Sequence, residues 1–128
     1  PLCAKLLQRG KKIMLHDEGE PIRNWLHAED TAEAVTTIVE SGKVDEIFNI
    51  PGDFEQKNYL TVKKIIEAYY NNNVKWKDYV DLNHKRPGQD IRYALNGDKL
   101  KQLGWSPTKV FDEEIVKLVE FYKENFKW

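Results

Sequence analysis

Apolar residues fall along this chain in short segments of two kinds, some spaced as in helices and others as in strands. Residues 2–7 are apolar at helical spacing and Gly10 offers a stop, which predicts a short helix that starts abruptly. Residues 12–16 alternate loosely and predict a short strand. Asp17-Glu18-Gly19-Glu20-Pro21 carries turn residues, and 22–27 form a second extended stretch. Glu29, Asp30 and Thr31 precede an apolar stripe of Ala32, Val35, Ile38 and Val39 closed by Gly42, a helix with acidic residues at its positive end. Residues 46–50 are β-prone and stop at Pro51-Gly52, so they predict a strand leaving a sheet at a turn. A loop over 52–57 leads to Thr61, placed to cap a helix with Val62, Ile65, Ile66, Tyr69 and Tyr70 on one face, which Asn71-Asn72-Asn73 breaks.

Residues 78–82 predict another short strand, and His84-Lys85-Arg86-Pro87-Gly88-Gln89-Asp90 is a turn-rich polar loop, a kind of segment that carries function more often than core. Asn96 can cap a brief helix through Leu100 and Leu103 that ends at Gly104, and Pro107 prevents its continuation. In the final segment Phe111, Ile115, Leu118, Val119, Tyr122 and Phe126 share one helical face, with Asp112-Glu113-Glu114 in its first turn and lysines later. Strands alternating with helices make the class α/β. No repeat, low-complexity tract or linker divides the chain, so residues 1–128 are expected to form one domain.

Composition narrows the function classes. With 41% hydrophobic and 32% charged residues the chain can build a core and stay soluble, which argues against disorder. Twenty basic residues nearly cancel twenty-one acidic ones, leaving no global field for nucleic acid or an anionic membrane. Any anion binding must therefore be local. The single cysteine, Cys3, makes no internal disulfide, and no run approaches a membrane-spanning length, so a reducing, cytoplasmic setting is expected. Opening on Pro1 without an initiator Met reads as a piece of something longer.

Candidate chemistry is sparse. The seven glycines are scattered and spell no phosphate-cradling loop, no serine sits in an elbow motif, and His16, His27 and His84 show no ligand spacing. Neither a dinucleotide nor a metal is expected to be bound by this chain, and autonomous catalysis is not expected. Two arginines remain. Arg23 lies in a predicted strand and Arg86 in the Pro-Gly loop, and two guanidinium forks converging from distant segments would suit a diphosphate. The alternative is that both are ordinary surface arginines. Asn58 can either cap the helix that follows or aim its amide at a ligand, and Glu29-Asp30 is explained by its helix start without invoking paired catalytic carboxylates. The tryptophans, Trp128 among them, are expected to fill core positions.

Five motifs in order, Gly19-Glu20-Pro21-Ile22-Arg23-Asn24-Trp25-Leu26-His27-Ala28-Glu29-Asp30, Glu46-Ile47-Phe48-Asn49-Ile50, Gln56-Lys57-Asn58, Arg86-Pro87-Gly88-Gln89-Asp90-Ile91-Arg92-Tyr93 and Leu103-Gly104-Trp105-Ser106-Pro107, span almost the whole chain. Together they resemble the C-terminal third of dTDP-glucose 4,6-dehydratases, extended short-chain dehydrogenase/reductases that act on nucleotide sugars. The resemblance implies a C-terminal substrate-binding portion of mixed short strands and helices, joined to the last α/β unit of a Rossmann sheet. It implies nucleotide-sugar contacts at Arg23, Asn58 and Arg86, with Lys85, Pro87, Gly88 and Gln89 completing the loop. Gln89 stands where bacterial dehydratases commonly have His, so it can hydrogen-bond but not titrate. Met14 and His16 fall near the position of the nucleotide base, where the family often has Pro and an aromatic residue. In the intact family enzyme NAD is held by an N-terminal Rossmann domain and a Tyr-x-x-x-Lys pair assists. Neither the Gly-rich turn nor that pair is expected in this chain, which leaves a separate Rossmann-domain chain or segment as a partner. Epimerases and nucleotide-sugar decarboxylases share the architecture, and a non-catalytic protein-interaction module is the reading from another class.

Overall fold

Helix α1 (Leu2–Gln8) turns Ala4 and Leu7 inward, as its spacing predicts. The computed structural model describes residues 1–125. Phe126 of the last apolar stripe and Trp128 lie outside the described residues. Strand β1 (Ile13–His16) alternates, with Ile13 and Leu15 buried, and a 3₁₀ turn over Asp17–Gly19 leads to β2 (Ile22–Trp25). Helix α2 covers Ala28–Glu40, β3 Phe54–Lys57, α3 Asn58–Tyr69, β4 Val80–His84, α4 Asp98–Lys101 and α5 Phe111–Glu124. The class is α/β, with mixed short strands and helices.

Two small sheets organise these elements. β1 and β4 pair in parallel, Ile13 opposite Val80, and the register slips between Met14 and His16 so that His16 faces His84. β2 and β3 pair antiparallel, Ile22 opposite Lys57 and Trp25 opposite Phe54. One core joins Leu7, Ile13, Leu15, Val62, Ile66 and Val80, bringing α1, α3 and the first sheet together. Side chains of this kind contribute about 1.5–3 kcal/mol each when fully buried. A second core of Ala34, Leu100 and Trp105 holds α2 and α4, with Phe48 and Ile50 packed against it.

Four local expectations are corrected. Residues 54–57 are a strand, because β2 offers a ladder partner and Phe54 stacks on Phe111 with centroids 4.9 Å apart. Helix α3 begins at Asn58, so Thr61 does not cap it; Thr61 is buried, and its hydroxyl accepts from Gln56 Nε2 at 2.7 Å. Residues 76–79 form a 3₁₀ turn and the strand expected over 78–82 starts at Val80. The strand expected over 46–50 is absent: with no neighbouring strand among the described residues, no ladder forms there. That segment is tied instead by Asn49 Nδ2 donating to Asn96 O at 3.1 Å and Lys99 Nζ donating to Ile47 O at 2.8 Å. Of the expected last α/β unit of a Rossmann sheet, the helix is present as α2 and residues 46–50 form no strand.

The α2 stripe also differs. Its buried residues are Asp30 and Ala34, whereas Val35 is 49% and Val39 73% exposed, because the core-facing side of α2 runs through Ala34 and, of the predicted row, Ile38. Asn96 does serve α4, its Oδ1 accepting from Asp98 N at 2.8 Å one residue ahead of the N-cap Gly97. Among the described residues no helix is long and apolar enough to cross a membrane.

Candidate functional site

Backbone pairing draws three distant segments to β2. Pro21 O accepts from Asn58 N at 2.9 Å, which sets the first residue of α3 beside the start of the strand. Ile22 N donates to Ile91 O at 2.7 Å and Tyr93 N donates to Ile22 O at 3.4 Å, so the segment after the Pro-Gly loop runs parallel to β2 on its other edge. The 3₁₀ turn before β2 also packs tightly on α3. Gly19 has φ +77°, and a Cβ there would lie 2.7 Å from Tyr59 Cβ and 2.8 Å from Tyr59 N, so only glycine permits the approach.

Arg23 is held on this platform. Its Nη1 donates to Ile22 O at 2.7 Å and Asp90 O at 3.2 Å, and its Cζ lies 4.7 Å from the centroid of the Tyr93 ring. The Tyr93 hydroxyl donates to the Asp90 carboxylate. That bond, above all, raises the phenol pKa, while the charges of Arg23 and Arg86 act on the same phenol in the opposite sense. Arg23 and Arg86 are 63 residues apart in the chain (86 − 23), and the pairing of Ile22 with Ile91 and Arg92 draws their two segments towards each other. Arg86 is exposed and makes no side-chain hydrogen bond or ion pair among the described residues.

The remaining predicted residues lie on the Pro-Gly loop, on β1 in the other sheet and at the start of α3. Gly88 takes φ +75° in the turn where Gln89 N donates to Arg86 O at 3.2 Å, and Pro87 is exposed beside it. Lys85 Nζ lies 3.9 Å from Glu18 Oε1, an exposed pair of little energetic weight that ties the loop to the 3₁₀ turn. His16 and His84 rings meet edge to face at 6.2 Å, and His84 Nε2 lies 3.0 Å from Asp81 Oδ2. Met14 shares a strand face with His16 and is 50% exposed. Asn58 is the first residue of α3, with Lys57 as N-cap, so the capping alternative fails and its side-chain amide makes no hydrogen bond among the described residues.

Among the described residues four buried polar side-chain atoms have no hydrogen-bond partner: His16 Nδ1, Gln89 Oε1, Trp25 Nε1 and Trp105 Nε1. An orphaned buried polar group costs about 1–3 kcal/mol, and of the four only His16 and Gln89 are among the predicted site residues. An apolar cavity of about 640 Å³, lined by Trp25, Phe54, Phe111, Ile115 and Leu118 among others, contains none of the nine predicted residues. Its buried Asp30 and Thr61 are already engaged by Thr108, Lys109 and Gln56.

A family model described as GDP-mannose 4,6 dehydratase matches residues 1–118. The chain belongs to that family. Over its full length it is 36% identical to dTDP-glucose 4,6-dehydratase 1 of Escherichia coli (strain K12), of which it covers 37%. The crystal structure of dTDP-glucose 4,6-dehydratase from Streptomyces venezuelae, which has NAD bound, matches with a TM-score of 0.86 at 28% identity, over 98% of this chain and 38% of that one. UDP-glucose 4-epimerase from Thermotoga maritima shares the fold, with a TM-score of 0.77 at 21% identity over 96% of this chain and 38% of that one. The resemblance carried by the five motifs therefore holds, within the extended short-chain dehydrogenase/reductases. The chain spans little more than a third of the length of these dehydratases.

The residues described here do not fit the family's NAD. β2 passes into α2 through Leu26 and His27, and β3 passes directly into α3 at Lys57 and Asn58; neither junction contains a glycine that would let a pyrophosphate approach the backbone. One expectation is corrected at the sequence itself, since a Tyr-x-x-x-Lys spacing does occur at Tyr59 and Lys63. Tyr59 stacks on Trp76 at 6.1 Å and Lys63 pairs with Glu67 at 3.7 Å, so both residues of this dehydratase-family segment are occupied structurally.

Tyr93 and Asp90 lie within the Arg86-to-Tyr93 motif, whose sequence alone gives them no role. Their i, i+3 spacing next to an arginine-bearing loop is the signal that could have found them.

Proposed function

We propose that this chain is the substrate-binding part, over residues 1–128, of an NAD-dependent nucleotide-sugar 4,6-dehydratase, and that it holds dTDP-glucose or UDP-glucose by the diphosphate. The observation that carries the reading is the convergence of β2, the start of α3 and the segment that follows the Pro-Gly loop, which draws the segments bearing Arg23, Asn58 and Arg86 together. In this reading the free edge of Arg23 and the unpaired Arg86 fork donate to diphosphate oxygens, with Lys85 adding charge at the rim. Asn58 and Gln89 offer amides to the ribose or sugar, the backbone of Pro87 and Gly88 shapes the loop, and Met14 and His16 flank the base. The chain supplies no catalytic residue and no cofactor site. NAD and the reacting groups come from a Rossmann-domain chain or segment that covers the exposed Val35 and Val39 face, in the cytoplasm.

Calorimetric titration of dTDP-glucose and UDP-glucose into the parent chain and its Arg86→Ala variant tests the reading. The variant is expected to bind about 30-fold more weakly, a loss of about 2 kcal/mol for a charge-assisted contact. Equal affinities would remove Arg86 from the site. A nucleotide-sugar epimerase shares the fold and is the alternative reading.

A further inference from the structure

We propose that Tyr93 is a positioning residue that clamps the Arg23 guanidinium, its ring covering one face and its hydroxyl fixing Asp90, so that a single N–H edge is presented to a diphosphate. The inference rests on the reading of Arg23 as a diphosphate contact. Arg23 Nη1 is spent on two carbonyl oxygens, Ile22 O at 2.7 Å and Asp90 O at 3.2 Å. The ring at 4.7 Å blocks one face of the planar group, so Nη2 and Nε are what remain for a ligand. Asp90 presents a difficulty that Tyr93 resolves. Its backbone oxygen is needed by Arg23, yet its carboxylate would repel a diphosphate if it swung toward the arginines, and the Tyr93 hydroxyl holds that carboxylate aside. Tyr93 N donating to Ile22 O at 3.4 Å locks the whole arrangement to β2. Tyr93 is 54% exposed, so its ring is not a core element.

Four variants separate the parts. Tyr93→Phe keeps the ring and removes the hydroxyl, Tyr93→Leu removes both, and Arg23→Ala and the Arg23→Ala/Tyr93→Leu double variant close a cycle. The nuclear magnetic resonance signal of the Arg23 Nε–Hε group is expected to be ring-current shifted in the parent and in Tyr93→Phe, and to return to the ordinary arginine position in Tyr93→Leu. Affinity for dTDP is expected to fall about tenfold in Tyr93→Leu and by less in Tyr93→Phe, with no further loss from Tyr93→Leu once Arg23 is absent. An unchanged Arg23 signal in Tyr93→Leu overturns the clamp, and so does an equal loss of affinity with and without Arg23. Failure of the parent to bind dTDP sinks the diphosphate reading and the clamp's purpose, while a preserved Arg23 response would show the contact itself to be real.

Discussion

Asp30, only 1% exposed, accepts hydrogen bonds from Thr108 N and Thr108 Oγ1 at 3.0 Å each and from Lys109 N at 3.2 Å. Burial alone would raise its pKa, but these three donors stabilise the charged form and carry the pKa below its ordinary value. The carboxylate thus stabilises the fold fully above about pH 4, where it is ionised in both states, and that contribution is lost as pH falls through the depressed folded value. Replacing Asp30 with Ala strands those donors and is expected to cost about 2–4 kcal/mol in urea denaturation at neutral pH. With Asn at the position, the acid limb of a stability-against-pH curve should flatten. At the opposite extreme, Lys85 and Glu18 are both exposed, and Lys85→Ala is expected to shift stability by less than about 0.5 kcal/mol while weakening dTDP binding mainly at low salt.

At the scale of elements, the second sheet is fastened by aromatics. Phe111 at the start of α5 stacks on Phe54 of β3 at 4.9 Å and meets Trp25 of β2 edge to face at 5.6 Å. Phe111→Ala should cost about 2–3 kcal/mol, seen as a lower urea midpoint, and should loosen β2 and with it Arg23. The junction of the 3₁₀ turn with α3 is more sensitive still. Gly19→Ala adds a Cβ at positive φ against the backbone of Tyr59, and nothing there can yield as a flexible side-chain end would. A loss of about 2–4 kcal/mol in the melting transition is expected, together with weaker nucleotide binding, because the turn that precedes Arg23 must move.

For the whole molecule, the distribution of apolar surface matters more than its amount. Val35, Val39, Val44 and Ile47 are all at least 49% exposed, on α2 and the unpaired segment that follows it. A Val35→Glu/Val39→Lys variant should leave the melting temperature of this chain nearly unchanged, since neither side chain is in a core. It should lower light scattering at high concentration and abolish association with a Rossmann-domain chain. Loss of stability in that variant would show instead that the row is packed within this chain.

Periodicity determined the helices with strong amphipathic stripes. The α3 face of Val62, Ile65 and Ile66 and, on α5, Phe111, Ile115, Val119 and Tyr122 face inward where spacing put them, because a 3.6-residue repeat has one way to bury its apolar side, while Leu118 of the same row is exposed. The motifs likewise determined which loop carries Arg86 and which strand carries Arg23. What sequence could not decide was pairing. Residues 54–57 became a strand and 46–50 did not, since a ladder depends on a neighbour that local composition does not reveal. The Val35 and Val39 row was legible as apolar but not as exposed, for burial is a property of what lies opposite. Tertiary structure alone brought Arg23, Asp90 and Tyr93 to one place: hydrogen bonds between Ile22 and the 91–93 segment close a loop of about seventy residues, and nothing in the spacing of the chain states that closure.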